Sequence, residues 1–436
     1  MSKKESMVSR QVLLPFILVT SLFALWGFAN DITNPMVAAF KNILLISNFE
    51  SATVQFAFYG GYCVMAIPAA LYIKRFSYKS GIMLGLLLYA TGCLLFIPSG
   101  WMMAFPAFLI SYFIMTCGLS FLETSSNPYI LSMGSEETST RRLNFAQSFN
   151  PMGSLLGMWA AKELILARLD KSGEAARQAL AQTSPDALAQ IQKHDLNVII
   201  GPYAALGVVV LVMLIIFAIS RLPKVKEEEG RSLDISGTLR RLGHNRKYLE
   251  GVIAQTFYVG AQIMCWTFII QYAEDALGME KATAQQYNIV AMILFASSRF
   301  VCTHMLRYFS PGGLLLTLAS GGFSLILGTI FIQGMTGLYC LIGVSVCMSL
   351  MFPTIYGIAL KGLGDDAKLG SAGLIMAIGG GCLMPPLQAA IMDQNAFNIG
   401  FMTLSSVRAS FVLPLICFIV IAVFGFRTSK VHKHSH

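Results

Sequence analysis

Long apolar runs without alternation dominate this chain, and they leave few folds open to it. A helix needs about 20 residues to cross a hydrocarbon core about 30 Å thick. Strands of a membrane barrel are only about 10 residues long and alternate in polarity. The runs here are of helix length, so helices are the reading that satisfies every backbone group in lipid. Approximate spans are 12–40, 50–73, 80–98, 101–131, 144–168 and 196–220, then 248–274, 284–307, 313–333, 335–361, 370–393 and 400–426. The expected fold is an all-α membrane protein of twelve transmembrane helices in two pseudo-symmetric six-helix halves. The halves are residues 1–220 and 248–436, joined by a charged linker over 221–247. Composition agrees, since only 12% of the residues are charged, about half the share in soluble domains.

Charge placement orients the chain. With both termini in the cytoplasm, the external segments hold only Lys41, Arg168, Lys171, Arg177, Lys193 and Lys281. Lys162, Arg299 and Arg408 fall within spans, and the other 22 Lys and Arg crowd the cytoplasmic side, as the positive-inside rule demands. The net charge of +9 is explained by those loops, and no basic soluble domain offers a nucleic-acid surface. The first apolar run is too long for a signal-peptide core. The loop Asp170 to Asp195 is external and reads as one or two short surface helices. Nine cysteines lie within apolar runs with no CxxC spacing, so they read as small core residues without disulfide or metal roles. No Walker, HExxH or GxSxG pattern is present. No enzyme, cofactor or metal site is expected.

Polar side chains inside spans are costly and need a reason. Span one carries Asn30, Asp31, Thr33, Asn34 and Pro35. The i,i+3 and i,i+4 spacings put Asp31, Asn30 and Asn34 on one helix face. A hydrogen-bond patch between helices and a hydrated site both fit. Glu123 in span four has no Lys or Arg within a helical turn. Desolvation disfavours its charged form, which suits a group that loads and releases a proton. Gln147 and Asn150 open span five as i,i+3 amides, able to donate and accept at once. Gln255, Tyr258, Gln262 and Trp266 form a polar-aromatic stripe along span seven. Phe352 and Tyr356 are i,i+4 beside Pro353 in span ten. Both aromatic sets also serve as ordinary packing. Gly379–Gly381 and Pro385–Pro386 in span eleven are assigned to close helix approach and bending. Arg299 and Lys162 are read as snorkelling near span ends, with Glu163 pairing outward to Lys162.

From about Leu14 to Phe426 the chain resembles the major facilitator superfamily, specifically its L-fucose–proton symporter family. The resemblance rests on Ser77-Tyr-Lys79, the block Gly118 to Pro128, the block Leu143 to Asn150, Tyr258 to Trp266, Pro353-Thr-Ile355 and Gly379–Gly381. It implies a sugar permease driven by protons. It also implies that Glu123 is the proton-linked glutamate, with Asn127 one turn on, and that Gln147 and Asn150 contact sugar. The chain departs from the family in two places. The family's aspartate aligns with Asn34, while the acid here is Asp31, one turn earlier. Phe352 stands where the family has a tyrosine.

The resulting expectation is a monomeric proton-coupled monosaccharide importer of the bacterial inner membrane, with L-fucose first among substrates. Asp31 and Glu123 would handle protons. Asn30, Asn34, Asn127, Gln147, Asn150, Gln255, Tyr258, Gln262, Trp266, Phe352 and Tyr356 are the candidate sugar contacts. Sodium coupling, a different sugar (glucose, galactose or an N-acetylated one) and a non-transporting membrane sugar sensor stay open as alternatives.

Overall fold

The structure is a computed structural model, and it describes residues 8, 12–33, 36–46, 48–223, 235–279, 281–392, 394, 396–398 and 403–431. Asn34 and Pro35, together with 224–234 of the linker, lie outside the described residues. Nearly everything described is helix. Nine helices among the described residues are long and apolar enough to cross a membrane, and a bent pair makes a tenth. That pair, Arg246–Thr267 and Ile269–Leu277, covers span seven and turns by 46°.

Spans five and eleven are helical but broken. Span five begins earlier than expected, as Ser139–Gln147, resumes as Asn150–Ala160, and passes into one turn of π-helix at Ala161–Ile165. Span eleven runs Ala367–Met376, a short 3-10 turn Ala377–Gly379, then Gly380–Met392. Span ten is likewise split, into Met335–Met348 and Met351–Leu360. The breaks in spans five and ten each precede a proline, which has no N–H to give the turn before it. In the 170–195 loop, Glu174–Thr183 is a separate helix. From Pro185 on, that loop is the start of the helix Pro185–Ile219, so span six begins well before residue 196. A two-residue antiparallel pair, Phe397–Asn398 with Thr403–Leu404, was not expected from the pattern.

The described residues form two compact units. The first gathers Gln11–Tyr129 and Phe149–Lys224, and the second gathers Met1–Arg10, Ile130–Ser148 and Val225–His436. Each is built inside out relative to a soluble domain. Large apolar side chains stand outward, such as Phe56, Trp101 and Ile219 in the first unit and Val301 and Tyr339 in the second. Polar groups such as Glu123, Asn127, Gln255 and Arg299 are buried. That arrangement suits lipid as the surrounding solvent.

Local chemistry explains several joints. Ser77 caps the helix Tyr78–Leu94, its side chain accepting from the Ser80 N–H at 3.1 Å. Lys79 donates to the carbonyls of Ala218 and Ser220 at 3.1 and 2.8 Å. Those are end-of-helix carbonyls, where a cation is favoured. The Ser77-Tyr-Lys79 motif is thus a cap joined to a clamp. Lys162 and Glu163 pair on the surface at 3.2 Å, as expected. Every cysteine whose side chain is described is free.

Candidate substrate and proton site

In the first unit, the helix Phe105–Ser132 carries Glu123, which is only 6% exposed. The helix Asn48–Arg75 lies close alongside because Gly61 has no side chain. A Cβ there would fall 2.1 Å from the Thr116 Oγ1 and 3.0 Å from the Phe113 carbonyl. The approach brings Tyr62 to Glu123, and the Tyr62 hydroxyl donates to Glu123 Oε1 at 3.0 Å. Ser120 donates to the Tyr62 main-chain carbonyl at 3.3 Å, which fixes the register. Among the described residues, Tyr62 is the one hydrogen-bond partner of the Glu123 carboxyl, and no cation pairs with it. One turn on, the fully buried Asn127 donates to the Glu123 carbonyl at 3.0 Å.

Span one packs on the helix Asn150–Ala160 by the same device. A Cβ on Gly153 would sit 1.9 Å from the Ala24 carbonyl oxygen. The contact holds Asn150 beside span one, where its Nδ2 donates to the Phe23 carbonyl at 3.3 Å. Asn30 and Asp31 lie further along that helix, both half-buried. The Asn30 Oδ1 is buried with no hydrogen-bond partner among the described residues. Asn34 lies outside the described residues, so the expected face of two amides and an acid is described only through Asn30 and Asp31.

In the second unit, span seven supplies Gln255, Tyr258, Gln262 and Trp266. Gln255 is fully buried, and neither its Oε1 nor its Nε2 has a partner among the described residues. A buried amide left so is costly unless something else fills its bonds. Gln262 is half-buried. Tyr258 and Trp266 already use their polar atoms. The Tyr258 hydroxyl donates to the Met348 carbonyl at 3.1 Å, and Trp266 Nε1 donates to Ser345 Oγ at 3.1 Å. Both bonds fasten span seven to span ten. Tyr258 also lies edge-on to Phe352, with centroids 6.3 Å apart, and Phe352 stacks with Tyr356. Tyr258, Phe352 and Tyr356 are therefore one cluster, while Trp266 packs edge-on against Phe295 with centroids 4.9 Å apart.

Gln147 ends the helix Ser139–Gln147 and is buried. Beside it the Asn144 Nδ2 donates to Thr354 Oγ1 at 3.1 Å, which ties that helix to Met351–Leu360. Arg299 was expected to snorkel, but it is only 3% exposed. Its guanidinium donates to the carbonyls of Ser349 and Gln147 at 2.5 and 2.9 Å and lies 4.6 Å over the Phe295 ring. Reading the sequence also passed over Tyr62, Asn144 and Thr354. Tyr62 carried no signal, since a tyrosine in an apolar run is ordinary packing. Arg299 carried one, because a cation within a span is a site until shown otherwise.

Many apolar spans, apolar outer faces and buried acid and amide groups define a multi-pass helical membrane transporter. The sequence pattern of the Major Facilitator Superfamily matches residues 19–372. An L-fucose-proton symporter from Haemophilus influenzae is 54% identical over 428 residues, covering 98% of this chain and 99% of that protein. An L-fucose-proton symporter from Escherichia coli is 33% identical, over 97% of this chain and 94% of that protein. The crystal structure of the Major Facilitator Superfamily transporter FucP in the outward conformation superposes with a TM-score of 0.87 at 32% identity, covering 96% of this chain and 100% of that one. The chain belongs to the Major Facilitator Superfamily and, within it, to the L-fucose–proton symporter family.

Proposed function

We propose that this chain is a proton-coupled L-fucose importer that works by alternating access between two six-helix halves, residues 1–220 and 248–436. One observation carries the reading. Glu123 is a buried carboxyl whose one hydrogen-bond partner among the described residues is the neutral Tyr62 hydroxyl. A carboxyl with no cation beside it changes protonation without breaking an ion pair, which is what a proton carrier inside a membrane requires. The similarity to two L-fucose-proton symporters supports the choice of sugar and ion. Asp31 is the second proton group. Asn30, Asn34, Asn127, Gln147, Asn150, Gln255 and Gln262 offer hydrogen bonds to sugar hydroxyls, and Tyr258, Trp266, Phe352 and Tyr356 form an aromatic wall. The protein acts as a monomer in the bacterial inner membrane, with both termini cytoplasmic, and catalyses no covalent chemistry.

The test is uptake of radiolabelled monosaccharides into proteoliposomes, with and without a pH gradient and with and without a sodium gradient. L-fucose should accumulate under an inward proton gradient and not under sodium alone. Accumulation of L-fucose that needs sodium, or none under either gradient, would overturn the reading. A second reading, in which the sugar is glucose, galactose or an N-acetylated sugar, draws on the exchanged positions of Asp31 and Asn34 and on Phe352 in place of a tyrosine. The same panel of sugars decides between them.

A further inference from the structure

In a continuous α-helix each carbonyl accepts from the N–H four residues on. The residue four after Gln147 is Pro151, and the residue four after Ser349 is Pro353. Neither proline has an N–H, so each leaves one carbonyl without its helical partner. Away from water such a carbonyl must be satisfied by something else.

Both are satisfied by the same side chain. Arg299 Nη1 donates to the Gln147 carbonyl at 2.9 Å, and Arg299 Nε donates to the Ser349 carbonyl at 2.5 Å. The guanidinium is buried, lies over Phe295 and has no carboxylate paired with it among the described residues. Its charge is met by carbonyl dipoles and an aromatic face in place of an anion. The planar fork suits this, because its donors point at two acceptors in fixed directions, which an ammonium does not do. The helices so joined already approach closely. Asn144 bonds Thr354, and a Cβ on Gly357 would meet Thr140 Oγ1 at 2.9 Å.

We propose that Arg299 is a positioning residue that clips two proline-broken helices together through the carbonyls their prolines release. It thereby sets the placement of Gln147 on one helix and of Phe352 and Tyr356 on the other. The functional half of this statement rests on the reading of the chain as a sugar transporter, and the structural half does not.

Hydrogen–deuterium exchange on the purified full-length protein tests the clip without any sugar. In Arg299→Lys and Arg299→Met, peptides covering Gln147 and Ser349 should both exchange faster, by about tenfold, as expected for losing a charge-assisted hydrogen bond. Pro353→Ala returns an N–H to the Ser349 carbonyl. In that background Arg299→Lys should speed exchange only around Gln147. Acceleration at one site alone in the parent background, or at neither, overturns the clip. The positioning role is read from L-fucose exchange in proteoliposomes. Arg299→Lys should raise KM about tenfold, with a smaller change in turnover per folded molecule, and Pro353→Ala should restore part of the loss. Rescue by lysine, or an unchanged KM despite faster deuterium exchange at both sites, overturns positioning. If the parent protein exchanges no L-fucose, the transport reading fails, and the deuterium result still decides the clip.

Discussion

The two units keep their buried charge in opposite ways. In the first, Glu123 is held by one tyrosine hydroxyl and, among the described residues, by no cation. In the second, Arg299 is held by two main-chain carbonyls and a ring. A carboxyl on a neutral donor keeps its partner in either protonation state. A guanidinium stays charged at any physiological pH, so its partners act as structural fastenings. On the proposed function, Glu123 would exchange protons and Arg299 would hold shape, although both centres are single ionisable residues inside apolar helices.

The strongest way to break this contrast is Glu123→Gln, which fixes the neutral form. Proton-driven accumulation of L-fucose should be abolished while sugar–sugar exchange persists, because exchange needs no net deprotonation. Accumulation that survives in the variant removes Glu123 from coupling. Asp31→Asn should uncouple transport in the same assay if both acids carry protons. Normal accumulation in that variant would leave Glu123 alone and make Asp31 a local structural acid. Gln255→Leu sharpens the other side. Replacing a buried amide that lacks partners should stabilise the detergent-solubilised protein by about 1–3 kcal/mol while weakening L-fucose binding. A more stable variant with unchanged binding would mean that Gln255 faces no sugar. The smallest effects belong to Gln147→Ala and Asn150→Ala. Each should weaken calorimetric binding by about 0.5–1.5 kcal/mol, the net worth of one hydrogen bond. If both variants bind normally, span five does not line the site.

Run length and charge placement made the helical architecture legible, because lipid permits so few alternatives. Glu123 and Gln255 were legible for the same reason, since a polar side chain in an apolar run stands out. The breaks in spans five and ten were not expected, since a proline need not break a helix, as Pro68, Pro128 and Pro202 show, and nothing local tells what occupies the carbonyls that Pro151 and Pro353 release. The snorkelling reading of Arg299 failed because helical position alone does not reveal a partner 50 or 152 residues away. Tyr62 was invisible because its role depends on Gly61 letting two helices approach. The early start of span six at Pro185 was hidden by the polar residues of its first turns, which read as loop.

The separations of Arg299 from its two acceptors also bear on how the chain is made. The Gln147 carbonyl is synthesised 152 residues before Arg299, and the Ser349 carbonyl 50 residues after it. At about 5–20 residues per second, that second acceptor follows roughly 3–10 s later. An arginine at the centre of a lone helix costs about 2.5–3.5 kcal/mol to insert into a bilayer. Arg299 stands six residues before the end of the helix Lys281–Met305, where that cost is smaller, and of its two acceptors only the Gln147 carbonyl is already made when residue 299 is added.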